Sequence, residues 1–212
     1  MMSLQLVSTQ DLDVCRDLQA EALLVMPCTD VPMALRAATL MAQRAGAPGH
    51  VLLVEDHDGW GFIRIVNLVF RRTHGRYFGY VAQDAFAGRL WLTLALDALQ
   101  RPGKHLFAFN DGKWHGAFAG FGLAERDWAS HNYTDGNFFH PGYQRHYADV
   151  ELSLLAISQG AYIHDPRSLL VEVDWAKDKA HVDAQDRALY QARVATGFEG
   201  RVMSPELLQM VA

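Results

Sequence analysis

The order of apolar runs predicts an α/β fold: a single domain built on a mainly parallel sheet flanked by helices. Three observations carry that expectation. Ala22-Leu23-Leu24-Val25-Met26 and Val51-Leu52-Leu53-Val54 are continuous apolar runs, the pattern of strands covered on both faces. Between them, Asp30, Pro32, Leu35, Ala38 and Ala42 read as a capped helix with one apolar face. A third run, Arg76 to Phe86, carries apolar residues into Asp84 and then, past Gly88, into another helix. Strand, helix, strand requires a parallel pair, and the right-handed crossover puts Thr29-Asp30 and Glu55-Asp56 at one rim of the sheet.

A chain of 212 residues suits one sizeable core. The net charge of -5 and a pI near 6.0 leave no basic footprint for nucleic acid. Two cysteines, Cys15 and Cys28, allow at most one disulfide and no Cys-rich zinc site, which favours a reducing cytoplasm. The first ten residues lack a signal-peptide pattern, and no stretch approaches the roughly 20 apolar residues of a membrane span. The expectation is a cytoplasmic protein, peripheral to a membrane at most.

In order, residues 9 to 20 predict a short helix capped by Thr9, followed by the strand closed at Pro27 and the helix from Asp30 to about Gly46. The second strand ends in Glu55-Asp56-His57-Asp58-Gly59, and Gly61 to Thr73 predicts a helix carrying Asn67. One strand is expected to run through Tyr77 to Asp84. Arg89 to Gln100 is apolar on most sides and predicts a buried helix, and Leu106-Phe107-Ala108-Phe109 a strand entering the turn Asn110-Asp111-Gly112. Trp114, Phe118, Phe121 and Trp128, interleaved with glycines, suggest strands in close backbone approach. Ser130 to Tyr147 is a loop rich in His and Tyr, after which Asp149 opens a helix reaching Gly160. A strand at Ser168-Leu169-Leu170-Val171 and a helix from Asp183 to Ala195 complete the chain.

Three acidic positions, Glu55-Asp56, Asp84 and Asp149, can meet in one crevice of such a sheet. That set suits group transfer from an activated phosphate donor, one carboxylate holding Mg²⁺ or Mn²⁺ and another taking the proton of an incoming hydroxyl.

At these residues the chain resembles the GT-A-type glycosyltransferases, in particular the large inverting group that uses nucleotide-diphospho-sugars. Val25-Met26-Pro27-Cys28-Thr29-Asp30 is similar to that family's first strand and nucleotide loop, and Val54-Glu55-Asp56 to its second strand and base-contacting acidic turn. Asn67 falls at its helical asparagine, Tyr80-Val81-Ala82-Gln83-Asp84 at its Asp-x-Asp motif, and Ala148-Asp149 at its Glu-Asp pair. Ala82 and Ala148 replace the first acid of each motif. The resemblance implies a GT-A-like, Rossmann-like domain with a donor half at 22–110, an acceptor and catalytic half at 111–175 and a helical extension at 176–212. It implies Asp149 as general base and Asp84 as metal ligand, with Pro27, Thr29, Asp30, Glu55, Asp56, Asn67, Gln83 and Asp84 around the nucleotide sugar. Trp114, Tyr133 and His140 would shape the site of a glycan, lipid-linked or small-molecule acceptor. Glu172 or Asp174 could add a metal contact by position.

Two alternatives stand beside this reading. His131, His140 and His146, with Asp149 and Glu151, offer the residue types of a metal-dependent hydrolase, although their spacing matches no compact ligand motif. The missing acids at Ala82 and Ala148 would also suit a non-catalytic sugar-nucleotide-binding protein.

Overall fold

The computed structural model describes residues 1–173 and 182–210. The strands are β1 (Met2–Ser8), β2 (Ala22–Cys28), β3 (Gly49–Glu55), β4 (Tyr77–Tyr80), β5 (Ala85–Ala87), β6 (Leu106–Asn110), β7 (Gly122–Glu125) and β8 (Tyr162–Glu172). The helices are α1 (Val31–Arg44), α2 (Phe62–Arg72), α3 (Trp91–Leu99), α4 (Arg126–Ser130), α5 (Ala148–Ser158), α6 (Ala184–Ala195), α7 (Gly197–Gly200) and α8 (Pro205–Gln209).

All eight strands form one sheet in the order β1-β3-β2-β4-β7-β6-β8-β5. The β1, β3, β2 and β4 strands are mutually parallel, as are β6 and β8, whereas β7 and β5 run against their neighbours. Because β7 sits antiparallel between β4 and β6, the carboxyl ends of β2, β3, β4, β6 and β8 share one rim. Every residue of β2 is buried, as its unbroken apolar run requires. Leu23 and Val25 join the core on the α2 and α5 face, while Leu24 and Met26 join the core under α1 and α3. That alternation of a strand buried on both faces is what holds the sheet between two helical layers.

Several local signals act as read. The Asp30 carboxylate accepts the Met33 N–H at 2.9 Å at the start of α1. Trp91 anchors the buried α3 by donating from Nε1 to the Met41 carbonyl at 2.9 Å.

Other expectations change. The run Arg76 to Phe86 is two strands, because β4 ends at Tyr80 and the chain turns through Gln83-Asp84 before β5 pairs antiparallel with β8. Residues 9 to 20 hold a short 3-10 helix, Thr9–Cys15, capped by Ser8. Ahead of it lies β1, an edge strand of mixed apolar and polar residues in which only Met2 and Val7 are buried. The glycine and aromatic segment from 111 to 121 is a chain of turns, with only Gly122–Glu125 extended. His164 lies within β8, its Nδ1 3.0 Å from the Ala108 carbonyl oxygen. Cys15 and Cys28 are both buried and unpaired. No helix among the described residues is long and apolar enough to cross a membrane.

Candidate active site

The shared rim opens into a cleft of about 810 Å³. Its walls come from the strand ends: Pro27, Cys28 and Thr29 after β2, Asp56 after β3, Ala82 and Gln83 after β4, Asp111 after β6 and Glu172 at the end of β8. This is where ligands bind in open parallel sheets, outside the carboxyl ends of the strands. The opposite wall is the start of α5 with the loop before it, Arg145 to Val150.

Each strand end is locked by its own polar residue. The Gln83 side-chain oxygen, Oε1, accepts the backbone N–H groups of Thr29 and Asp30 at 2.8 and 2.9 Å, tying the β4 turn to the β2 loop. Asp56 accepts the N–H groups of Trp60 at 2.7 Å and Gly61 at 2.8 Å, closing the turn into α2. Asp111 Oδ1 accepts those of Lys113 at 2.9 Å and Trp114 at 2.7 Å. Trp114 is thereby held on the cleft, 44% exposed, with its ring edge-on to Phe118.

Asp149 lies half-buried in the first turn of α5, on the cleft. Burial pushes its carboxyl up to about 6, helped by the negative charges of Asp111 and Glu172. The N–H groups of Val150 and of Asp149 itself pull the other way without cancelling the effect. A carboxylate with this value is ionised near neutral pH yet basic enough to take a hydroxyl proton. Ser153 fixes the turn by donating to the Asp149 carbonyl at 2.7 Å while accepting the Ala119 N–H at 2.9 Å, which joins α5 to the turns from 111 to 121. Tyr80 reinforces the junction with a buried hydroxyl that donates to the Ala119 carbonyl, and its burial and the nearby Asp149 charge raise its ionisation far out of reach.

Among the residues singled out from sequence, Pro27, Thr29, Asp56, Gln83, Trp114 and Asp149 line this cleft. Asp30 is spent as the α1 cap, and Glu55 closes the β3 register opposite Cys28. Asn67 lies outside the cleft, 4% exposed, its Oδ1 accepting the Phe138 and Phe139 N–H groups at 3.0 and 2.8 Å while Nδ2 donates to the Phe139 carbonyl at 3.1 Å. It anchors the aromatic loop. Phe138 and Phe139 pack among Phe70, Phe78 and Tyr80, so much of that loop is core. Tyr133 and His140 are in edge-to-face contact away from the cleft, and burial lowers His140 below its ordinary value.

The three histidines of the hydrolase alternative are dispersed. His146 is on the cleft, His140 packs against Tyr133, and His131 lines a separate cavity of about 360 Å³ with His105 and Glu125, at the opposite end of β6 and β7. Among the described residues, no group of three or more His, Cys, Asp or Glu side chains is placed to hold a metal ion. Asp84 is 8% exposed and off the cleft wall, and Ala82, which is on it, has no oxygen to offer. Among the described residues, the donor set on the cleft does not fit a resident divalent cation. Asp174 lies outside the described residues.

Four cleft residues had no cleft role in the sequence reading. Asp111 looked like part of a turn, Lys113 and Arg145 were not singled out, and His146 looked like one of a metal-ligand set. Asp111 had one usable signal, its place after a strand of the same sheet.

Fold and cleft together define an α/β domain whose eight-stranded sheet opens into one cleft at its carboxyl rim. A solved structure with this fold is the mannosyltransferase PcManGT from Pyrobaculum calidifontis in complex with GDP-Man and Mn²⁺, with a TM-score of 0.59. It is 13% identical, and the match covers 90% of this chain and 67% of that one. At that identity the likeness establishes the fold. No family model matches the chain, and no curated protein does.

Proposed function

We propose that the protein is a glycosyltransferase that moves a sugar from a nucleotide-diphospho-sugar to a hydroxyl acceptor. One observation carries the proposal: Asp149, with its carboxyl held at about 6, stands on the cleft at the strand carboxyl ends of a sugar-nucleotide fold. The donor half of the chain, 22–110, supplies Pro27, Thr29, Asp56 and Gln83 for the nucleoside. The half from 111 supplies the base and the acceptor wall, with Trp114 offering an aromatic face to a sugar ring.

In the reaction, Asp149 takes the proton of the acceptor hydroxyl as its oxygen bonds to the anomeric carbon. The bond from that carbon to the diphosphate oxygen breaks, and the nucleoside diphosphate leaves with the electron pair. The cleft's own groups must meet the negative charge that builds on the leaving oxygens, since such fixed donors supply a large part of the rate.

The test is a thermal-shift panel of nucleotide sugars followed by turnover of the donor that binds. Asp149→Asn is expected to lower turnover by about 10² or more with donor binding retained. Equal turnover in the variant would remove Asp149 from the reaction, and no response to any nucleotide sugar would remove the transferase reading.

A further inference from the structure

The cleft presents cationic and N–H donor side chains on the wall beside Asp149 and at the end of β6, and among the described residues it offers no donor set for a divalent cation. Resting on the glycosyltransferase reading, we infer that Arg145 and His146, with Lys113 opposite, form the diphosphate subsite, and that nucleoside diphosphate binds there without a divalent cation.

Arg145 and His146 are held by an arrangement that has no other evident use. Asp186, on α6 and 1% exposed, accepts three consecutive backbone N–H groups, from Gln144 at 2.9 Å, Arg145 at 2.8 Å and His146 at 2.8 Å. The next residue, Tyr147, takes a left-handed conformation (φ 68°) and stacks on Tyr190 of the same helix, ring centroids 4.5 Å apart. His146 Nδ1 accepts the Asp183 N–H at 3.4 Å, so the ring's other nitrogen, Nε2, carries a proton and is a donor. The backbone beneath both side chains is thus fixed from α6, and the side chains line the cleft. Lys113 reaches the cleft from the Asp111 turn, its ammonium 5.8 Å from the Trp114 ring centroid.

The chemistry of these groups suits a diphosphate. A guanidinium meets phosphate oxygens with paired, charge-assisted hydrogen bonds, and an ammonium meets them as a point charge. The carboxylates of Asp56, Asp111, Asp149 and Glu172 line the same cleft and would repel the diphosphate; Asp56 and Asp111 already receive backbone N–H groups. Repulsion from these carboxylates and attraction to Arg145, His146 and Lys113 set its position on the cationic side of the cleft, within the charge field that must stabilise the leaving group.

Binding of GDP, UDP and ADP, each beside its nucleoside, is measured by calorimetry in EDTA and in Mn²⁺, on the native protein, Arg145→Gln and Arg145→Lys. The expected result is one diphosphate whose affinity changes less than about threefold on metal removal and falls about tenfold or more in Arg145→Gln, less in Arg145→Lys, with the nucleoside unaffected. Arg145 is exposed, so the native melting temperature should be kept. Binding that disappears in EDTA, or that Arg145→Gln leaves unchanged, would overturn the inference while sparing the transferase reading. No diphosphate binding in either medium would overturn both.

Discussion

Arg193 on α6 holds Glu151 on α5 through two parallel hydrogen bonds of 2.7 Å, and Glu151 has no solvent exposure at all. The Tyr143 hydroxyl donates to the same carboxylate at 2.8 Å, and Arg193 also reaches Glu199 at 3.0 Å. The C-terminal helices are thereby fastened to the helix that carries Asp149. Glu151 lies two positions after Asp149 on α5, so the pair stabilises the element beside the cleft.

A buried ion pair is costly to break from one side, because the remaining charge is stranded. Glu151→Gln or Arg193→Met should cost about 3–5 kcal/mol. For a domain of this size that is a melting temperature lower by roughly 6–20 °C. The double variant Glu151→Leu with Arg193→Met should recover part of the loss, since it strands no charge. Thermal and urea denaturation of all three would show it, and single variants that melt with the native protein would refute the coupling.

The same region shows where sequence reading succeeds and fails. The β2 and β3 runs, the Asp30 cap and Asp149 at the head of α5 were legible because each is a local pattern: continuous apolarity, an acid before a helix, an acid in a first turn. The break between β4 and β5 was not legible, because the apolar residues continue across it and only pairing of β5 with β8, some 85 positions on, ends the strand. Asn67 was placed at the site by the resemblance, and Tyr133 and His140 because their residue types bind ligands. The partners of Asn67, the Phe138 and Phe139 backbone, and the Arg201 guanidinium over the Tyr133 ring are long-range contacts that no local window contains. Arg145 was missed for the same reason. What orients it is Asp186, 41 positions away.

Asp186→Asn tests that orientation. The amide keeps one acceptor oxygen but turns an NH₂ group toward N–H groups that need an acceptor, so at least one of the three bonds is lost. Each hydrogen bond to a charged group is worth about 1.5–3 kcal/mol, and a loss of that size or somewhat larger is expected. Amide exchange at Gln144, Arg145 and His146 should accelerate with it, while exchange in β2 and β3 stays slow. Uniform acceleration across the sheet would mean that Asp186 supports the whole fold and not this loop in particular.

Gly120 packs directly against Asp111 on the cleft. A Cβ at Gly120 would stand 2.6 Å from Asp111 Oδ2, closer than packing allows. Asp111 is 3% exposed and its other oxygen holds the Lys113 and Trp114 N–H groups, so it can yield only by loosening that turn. Gly120→Ala should therefore displace Lys113 and Trp114 and cost about 1–3 kcal/mol of stability. In donor turnover, a rise in KM is expected to accompany it. Turnover and melting temperature both equal to the native protein's would show that the Asp111 turn gives way more easily than its hydrogen bonds imply.

Asp149 ties stability and activity to pH with opposite signs. Its carboxyl is raised from an ordinary 3.8 to about 6 in the folded protein. Between those values the folded chain keeps a proton that the unfolded chain has released, so this residue's contribution to stability falls as pH rises from about 4 to about 6 and is level above. Asp149→Asn, which cannot ionise, should lack that slope, and the difference between native and variant stability across pH 4 to 8 isolates it from other groups. Turnover runs the other way, because only the ionised carboxylate accepts the acceptor's proton. Below pH ~6 the rate should fall about tenfold per unit, and above it the rate should level off. A rate limb with its midpoint near 4, or a native-minus-variant stability difference flat in pH, would show that Asp149 is hydrated like a surface acid and is not held for proton transfer.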